Sequence, residues 1–257
     1  MEKLKQCFGF IDLTTLNATD TEARGRLFAE NVNRFALEYP QMPNVAAICV
    51  YPTLVAPVRE VLQVNEVKIV AVGAGFPASQ TFPQVMEQEC SLCVEHGADE
   101  VDVVLSLHHF FAGRYDKAAS IIRVIRQAIG AGTVLKVILE TGALRTEENI
   151  RKAAFMAMEN GADFIKTSTG KMEPAATPFA ARTMCKCIAE YHEQTRRKVG
   201  FKPAGGIVTS SDALEYYNIV EEVLGAEWLN PSLFRIGASR LANHLLKDIF
   251  SQDLAFF

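Results

Sequence analysis

The run from Gly161 to Lys171, GADFIKTSTGK, sets a lysine where chemistry is possible. Asp163-Phe164-Ile165 reads as a short apolar strand, Lys166 ends it, and the hydroxyl-rich loop Thr167-Ser168-Thr169-Gly170 follows. An ammonium held among apolar groups and near another cation loses basicity, and the free amine is then a nucleophile toward a carbonyl carbon. The ordinary alternative is a strand-end lysine that reaches solvent, as most lysines do. The chain repeats the pattern, however. Lys202 ends the apolar run Val199-Gly200-Phe201 and is followed by Pro203-Ala204-Gly205-Gly206. Two strand-end lysines converging on one pocket are expected to depress each other's pKa by like-charge repulsion. One is then the nucleophile and the other its perturbing neighbour.

The elements that must position these lysines alternate along the whole chain. Strands are expected near 8–12, 46–50, 67–73, 100–104, 134–140, 163–166, 199–202 and 234–237. The run 67–73 is continuous and rich in β-branched residues, as a strand buried on both faces should be. Helices are expected from about Asp20, over 52–64, 79–96, 115–130 and 146–160, from Thr177-Pro178, to about Leu224 and to about Phe250. Thr19-Asp20-Thr21-Glu22 and Thr209-Ser210-Ser211-Asp212 offer capping side chains, and Pro178 suits a first helical turn. Uninterrupted β-α units point to one all-parallel closed TIM barrel spanning 1–257, with a doubly wound open sheet as the structural alternative.

Composition agrees with a single globular enzyme. Hydrophobic residues make up 49% and charged residues 22% of the chain, which is ample for a core. A net charge of −4 gives no basic face for nucleic acid, so an anionic ligand must be held by local groups. No apolar run reaches the ~18 residues that span a membrane, and the start lacks a signal-peptide core. Cys90-Cys93 and Cys185-Cys187 fall in helical patterns without partners at zinc spacing, so thiols are expected to pack in a reducing, cytoplasmic protein. His108-His109 follow the fourth strand; adjacent histidines in an extended loop point apart, and no metal is expected there.

Barrel enzymes gather reactive residues at strand C-termini. Reading those ends in turn yields Asp12, Cys49, Asp102, Lys166 and Lys202. Asp102 is expected to neutralise a lysine, Cys49 to act as a small buried hydrophobe, and Lys136 with Glu140 to form an interior ion pair on one strand face. The loops after strands seven and eight, Gly205-Gly206 and Gly237-Ala238-Ser239, are where such barrels hold phosphate. Gly170 and Lys171 could add a third side and a charge.

GADFIKTSTGK and VGFKPAGG, together with GADEVDVV (97–104), LKVILETG (135–142) and IDLTTL (11–16), resemble the deoxyribose-phosphate aldolase family. The matches run in order from about residue 10 to about residue 240. The resemblance implies a class I aldolase on a TIM barrel. It would cleave 2-deoxy-D-ribose 5-phosphate reversibly to acetaldehyde and D-glyceraldehyde 3-phosphate, with Lys166 forming the imine. It further implies that Asp102 and Lys202 relay protons, that Asp12 joins their hydrogen-bond network, and that Thr14 contacts a substrate hydroxyl. Cys49 would line the pocket, and Thr169, Gly170, Lys171, Gly205, Gly206, Gly237 and Ser239 would bind substrate. No metal or organic cofactor is expected, because a covalent iminium does the work of a Lewis acid. The expected partners are small sugar phosphates and aldehydes, not nucleic acid or membrane. A homodimer is left open, since a dimer patch on barrel helices looks like any amphipathic face.

The chain departs from the family pattern at three places. Arg240 stands where many members carry a second serine, the chain ends Ala255-Phe256-Phe257 where well-characterised relatives end in tyrosine, and LSLHHFF follows strand four. Two other readings compete: an aldolase for another aldehyde pair, and a sugar-phosphate-binding protein without turnover.

Overall fold

The computed structural model describes residues 1–257. A short helix, α1 (Glu2–Gly9), precedes the first strand, β1 (Ile11–Thr14). Then come α2 (Glu22–Glu38), β2 (Ala47–Val50), α3 (Val55–Val61), β3 (Lys68–Gly73), α4 (Pro83–Glu95) and β4 (Glu100–Val104). Two helices, α5 (Leu107–Phe111) and α6 (Tyr115–Ile129), lead to β5 (Val134–Ile138), and two more, α7 (Thr141–Leu144) and α8 (Glu147–Glu159), lead to β6 (Phe164–Lys166). The chain closes with α9 (Pro178–Thr195), β7 (Gly200–Lys202), α10 (Ser210–Leu224), β8 (Ile236–Ala238) and α11 (Leu241–Phe250).

The strands form one eight-stranded sheet in the order β7-β6-β5-β4-β3-β2-β1-β8, and every named pairing is parallel. Parallel bridges Phe201–Phe234 and Ala204–Gly237 join the last strand to the seventh. Phe201 N–H donates to the Leu233 carbonyl and Gly237 N–H to the Pro203 carbonyl, both at 2.9 Å. This is the TIM barrel. Closure leaves no sheet edge to pair elsewhere.

Local sequence explains where the outer helices begin. Thr21, Thr146, Thr177 and Thr209 each accept a backbone N–H at a helix N-terminus, satisfying a donor that the helix cannot. At Thr209 the partner Asp212 returns the bond, completing a capping box. Pro83 and Pro178 open α4 and α9, where the absent N–H costs nothing. Inside the barrel, Phe164 fills the floor because position 200 is glycine: a Cβ there would lie 2.3 Å from the Phe164 ring.

Several expectations need correction. The first strand lies at 11–14 rather than 8–12, because 2–9 is helical and α1 packs on α10 and α11. Strand five stops at Ile138, and Glu140 turns out of it in a left-handed conformation with φ 55°. Short helices interrupt the regular β-α alternation after β4 and β5. His108 and His109 sit in one of them, α5, with ring centroids 3.9 Å apart rather than splayed along an extended loop.

Candidate active site

Strand register sets the site. In β6 and β7 Lys166 pairs with Lys202, and in β4 and β5 Asp102 pairs with Lys136. Paired residues of parallel strands share a height and a face, so each couple enters the barrel together. Across the interior they meet. Lys166 Nζ and Lys202 Nζ both donate to Asp102 Oδ2, each at 2.8 Å, while Lys136 Nζ donates to Oδ1 at 3.0 Å. Lys202 also lies 2.5 Å from Asp12 Oδ2. Below them Arg235 reaches Asp12 at 2.6 Å and Glu100 at 2.7 Å, and Lys136 completes the lattice with Glu100.

All of these groups are buried, and burial alone would neutralise them. Their mutual pairing prevents it. For Asp102, burial pushes the carboxyl up, but Lys136, Lys166 and Lys202 outweigh it and hold the group well below its usual range. Asp12 is likewise held low, by Lys202 and Arg235 against burial. The two strand-end lysines diverge. Burial lowers Lys202, yet Asp102 and Asp12 overcome it and leave the ammonium more stable than usual. Lys166 has Asp102 alone; burial, helped by the charge of Lys202, wins and its pKa falls. The expectation that each lysine would depress the other therefore holds for Lys166 and fails for Lys202.

Only one of the three network lysines faces open space. A cavity of about 420 Å³ lies above the strand tips, and Lys166 lines it whereas Lys136 and Lys202 do not. Thr14, Thr169, Gly170, Lys171, Gly205, Gly206, Gly237 and Ser239 are also in its wall. Asp12, Asp102 and Lys202 fall one layer beneath, fully buried, as does Cys49, whose thiol is pushed up by burial. Thr14 Oγ1 donates to the Asp12 carbonyl at 2.8 Å. The glycine-rich loop needs its glycine: Gly205 has φ +84°, and a Cβ there would stand 2.6 Å from Ala175 Cβ and 3.1 Å from Gly170 Cα.

Glu140 serves a different partner from the one expected. Lys136 turns to Glu100 and Asp102, and Glu140 accepts from Thr169 Oγ1 at 2.5 Å and Thr169 N–H at 3.3 Å. Burial raises the Glu140 pKa, and the two Thr169 bonds oppose that rise. Thr169 Oγ1 in turn accepts Lys171 N–H at 3.0 Å, and Lys171 Nζ donates to the Leu16 carbonyl at 2.5 Å. A chain of bonds thus ties the loop after β6 to the ends of β5 and β1.

Sequence reasoning missed Glu100 and Arg235 in the network, and Leu16, Asn17, Arg24 and Phe28 in the cavity wall, where Arg240 and Phe257, two of the departures from the family pattern, also lie. A signal existed for the first pair. Glu100 lies two residues before Asp102 on one strand face, and Arg235 stands between Phe234 and Ile236 where a lone charge needs a partner. Nothing local marks the four missed cavity residues, because loops from distant parts of the chain bring them together.

A buried amine of lowered basicity at the mouth of a parallel barrel belongs to the class of lyases that make and break bonds beside a carbonyl. A model described as DeoC/LacD family aldolase matches residues 9–225, and the chain belongs to that family. The human deoxyribose-phosphate aldolase is 40% identical over 258 residues, covering 94% of this chain and 79% of that protein. A crystal structure from Coccidioides immitis superposes with a TM-score of 0.80 at 26% identity, covering 96% of this chain and 87% of the other. QR15, an aldolase, matches with a TM-score of 0.77 at 26% identity over 98% and 99% of the two chains. The protein is an aldolase. No helix is long and apolar enough to cross a membrane.

Proposed function

We propose that this aldolase acts on 2-deoxy-D-ribose 5-phosphate, releasing acetaldehyde and D-glyceraldehyde 3-phosphate reversibly through an imine on Lys166. One observation carries the choice of lysine: of the three amines bound to Asp102, Lys166 alone lines the cavity, and its pKa alone is lowered.

The neutral Lys166 amine adds to C1 of the open-chain sugar, and loss of water from the carbinolamine leaves an iminium. Its positive nitrogen accepts the electron pair of the C2–C3 bond as that bond breaks. The C3 hydroxyl proton leaves through water toward Asp102, and C3 to C5 depart as glyceraldehyde 3-phosphate. The enamine takes a proton at C2, and hydrolysis of the new iminium frees acetaldehyde and restores the amine. In the resting site Asp102 is ionised and Lys202 is protonated and donates to Asp102 Oδ2. During cleavage Asp102 takes up the C3 hydroxyl proton through water, and that proton is returned to C2 of the enamine. The proton relay thus passes through Asp102, beside Lys202. Asp12 supports Lys202, and Thr14 lies in the wall where a sugar hydroxyl would sit. The loops at Gly170–Lys171, Gly205–Gly206 and Gly237–Ser239 supply backbone N–H groups to the phosphate end. Residues 1–257 work as one catalytic domain in this reading.

The test is borohydride reduction in the presence of 2-deoxyribose 5-phosphate, followed by peptide mass analysis. A single adduct on the peptide bearing Lys166 is expected. Modification at Lys202, or none at all, would overturn the assignment.

A further inference from the structure

No Asp or Glu side chain lines the cavity above Lys166. Its charged lining residues are Arg24, Lys166, Lys171 and Arg240, although the chain as a whole carries a net charge of −4. Lys166 is paired with Asp102, and Lys171 donates to the Leu16 carbonyl. Arg24 and Arg240 differ from both. Neither guanidinium makes an ion pair or a hydrogen bond to the protein, whereas arginines on the outer helices, such as Arg26 and Arg182, find carboxylates at 2.6 and 2.8 Å.

The two arginines are placed by neighbouring parts of the barrel. Arg24 lies in the first turn of α2, its guanidinium 5.9 Å from the Phe28 ring one turn on, and Phe28 is itself buried in the cavity wall. Arg240 follows Ser239 and stands at the N-cap of α11. Strands β1 and β8, which lead into α2 and α11, are hydrogen-bonded neighbours, so both arginines rise on the same side of the mouth. The Gly205–Gly206 loop shares that cavity.

We infer that Arg24 and Arg240 are the specificity-determining residues at the phosphate end, two guanidinium forks that clamp a phosphomonoester dianion. This assignment rests on the proposed sugar-phosphate reaction. A hydroxyl at position 240 would offer one neutral hydrogen bond. A guanidinium offers two parallel ones and a charge. The balance of recognition thereby moves from the backbone loop toward electrostatics. The enzyme separates phosphorylated from neutral sugars by charge, and its KM for the phosphorylated sugar rises with ionic strength because both arginines are exposed. Protonation of the phosphate weakens the clamp as the pH falls through about 6.

The experiment compares kcat/KM for 2-deoxyribose 5-phosphate with that for 2-deoxyribose in the full chain and in Arg24→Ala, Arg240→Ala, Arg240→Ser and the double alanine variant. Each single change should lower the ratio about tenfold and the pair about 100-fold, mostly through KM of the phosphorylated sugar. Arg240→Ser should recover only part of the loss. The double variant should lose the salt dependence of KM, and the outer-helix control Arg182→Ala should keep the wild-type ratio. A ratio unchanged in the double variant, or a salt dependence that survives it, overturns the assignment. Borohydride trapping with acetaldehyde, which carries no phosphate, separates the two failures. An adduct on Lys166 beside an unchanged ratio sinks the arginine clamp alone, while no adduct sinks the aldolase reading beneath it.

Discussion

Charge is handled in opposite ways on the two sides of Lys166. Beneath it, Lys136, Lys202 and Arg235 interlock with Asp12, Glu100 and Asp102, and each cation touches at least two carboxylates. Above it, Arg24 and Arg240 line the cavity with no Asp or Glu side chain in the wall. Buried ions survive only when paired, since each would otherwise cost several kcal/mol. Exposed arginines carry no such penalty and can wait for a ligand. The interior is a fixed field that decides which lysine is the weaker base, and the rim holds guanidinium groups without a protein counter-ion. Lys166 sits at the boundary, with one carboxylate partner at 2.8 Å where Lys202 has two. That single missing partner separates a nucleophile from a permanent cation.

The sharpest way to break this contrast is to remove each lysine. Lys166→Leu should abolish both turnover and the borohydride-trapped adduct. Lys202→Leu takes one buried cation from Asp12 and Asp102, which keep Arg235, Lys136 and Lys166. It should lower stability by up to about 3–5 kcal/mol, yet its folded fraction should still form the adduct on Lys166. Loss of adduct in folded Lys202→Leu would dissolve the distinction.

Asp102→Asn should lower kcat about 10²–10⁴-fold as the relay fails. It also removes the charge that raises the Lys166 pKa. The acid limb of the kcat/KM profile should therefore move to lower pH, and a shift upward would contradict the field described here.

Arg235→Met leaves Asp12 and Glu100 without their guanidinium and should destabilise the fold by about 3–5 kcal/mol in urea titrations. Activity per folded molecule should fall less than in Asp102→Asn, because Arg235 does not reach the cavity.

Acid stability follows from the same pairing. The folded-state pKa values of Asp12 and Asp102 lie below their ordinary ones. Their contribution is thus fully present above the unfolded value of about 3.9 and is lost as pH falls toward the folded values. Circular dichroism should show unfolding set in below about pH 4, and the double arginine variant of the rim should leave that onset in place. The smallest effect belongs to Cys49→Ala. As a buried thiol outside the cavity wall, it should cost about 1 kcal/mol of stability and leave the trapped adduct intact.

Much of the barrel was legible from the chain. Alternating apolar strands and capped helices identified the parallel fold, and Thr177-Pro178 and Thr209 to Asp212 marked two helix starts that the structure places there. The first strand was placed at 8–12 because Phe8, Phe10 and Ile11 form one short apolar run, and only packing of α1 on α10 and α11 assigns Phe8 to the helix and Ile11 to the strand. Glu140 was misread because period-two reasoning fails once the backbone leaves the strand at Ile138. Arg240 was marked by its place after the phosphate-loop serine, whereas Arg24 had no local signature, since an exposed arginine at a helix start looks the same whether or not it borders a cavity.

The chain by itself determined that lysines end the sixth and seventh strands and that glycines follow each, because a side-chain period of two and a turn residue are local properties. Only the tertiary structure decided which of those lysines is the weak base. Asp102 is 64 residues from Lys166 and 100 from Lys202, and of these two lysines Lys202 is the one at salt-bridge distance from Asp12. The balance between burial and counter-charge is summed through space, across strands whose neighbours are settled only when the barrel closes.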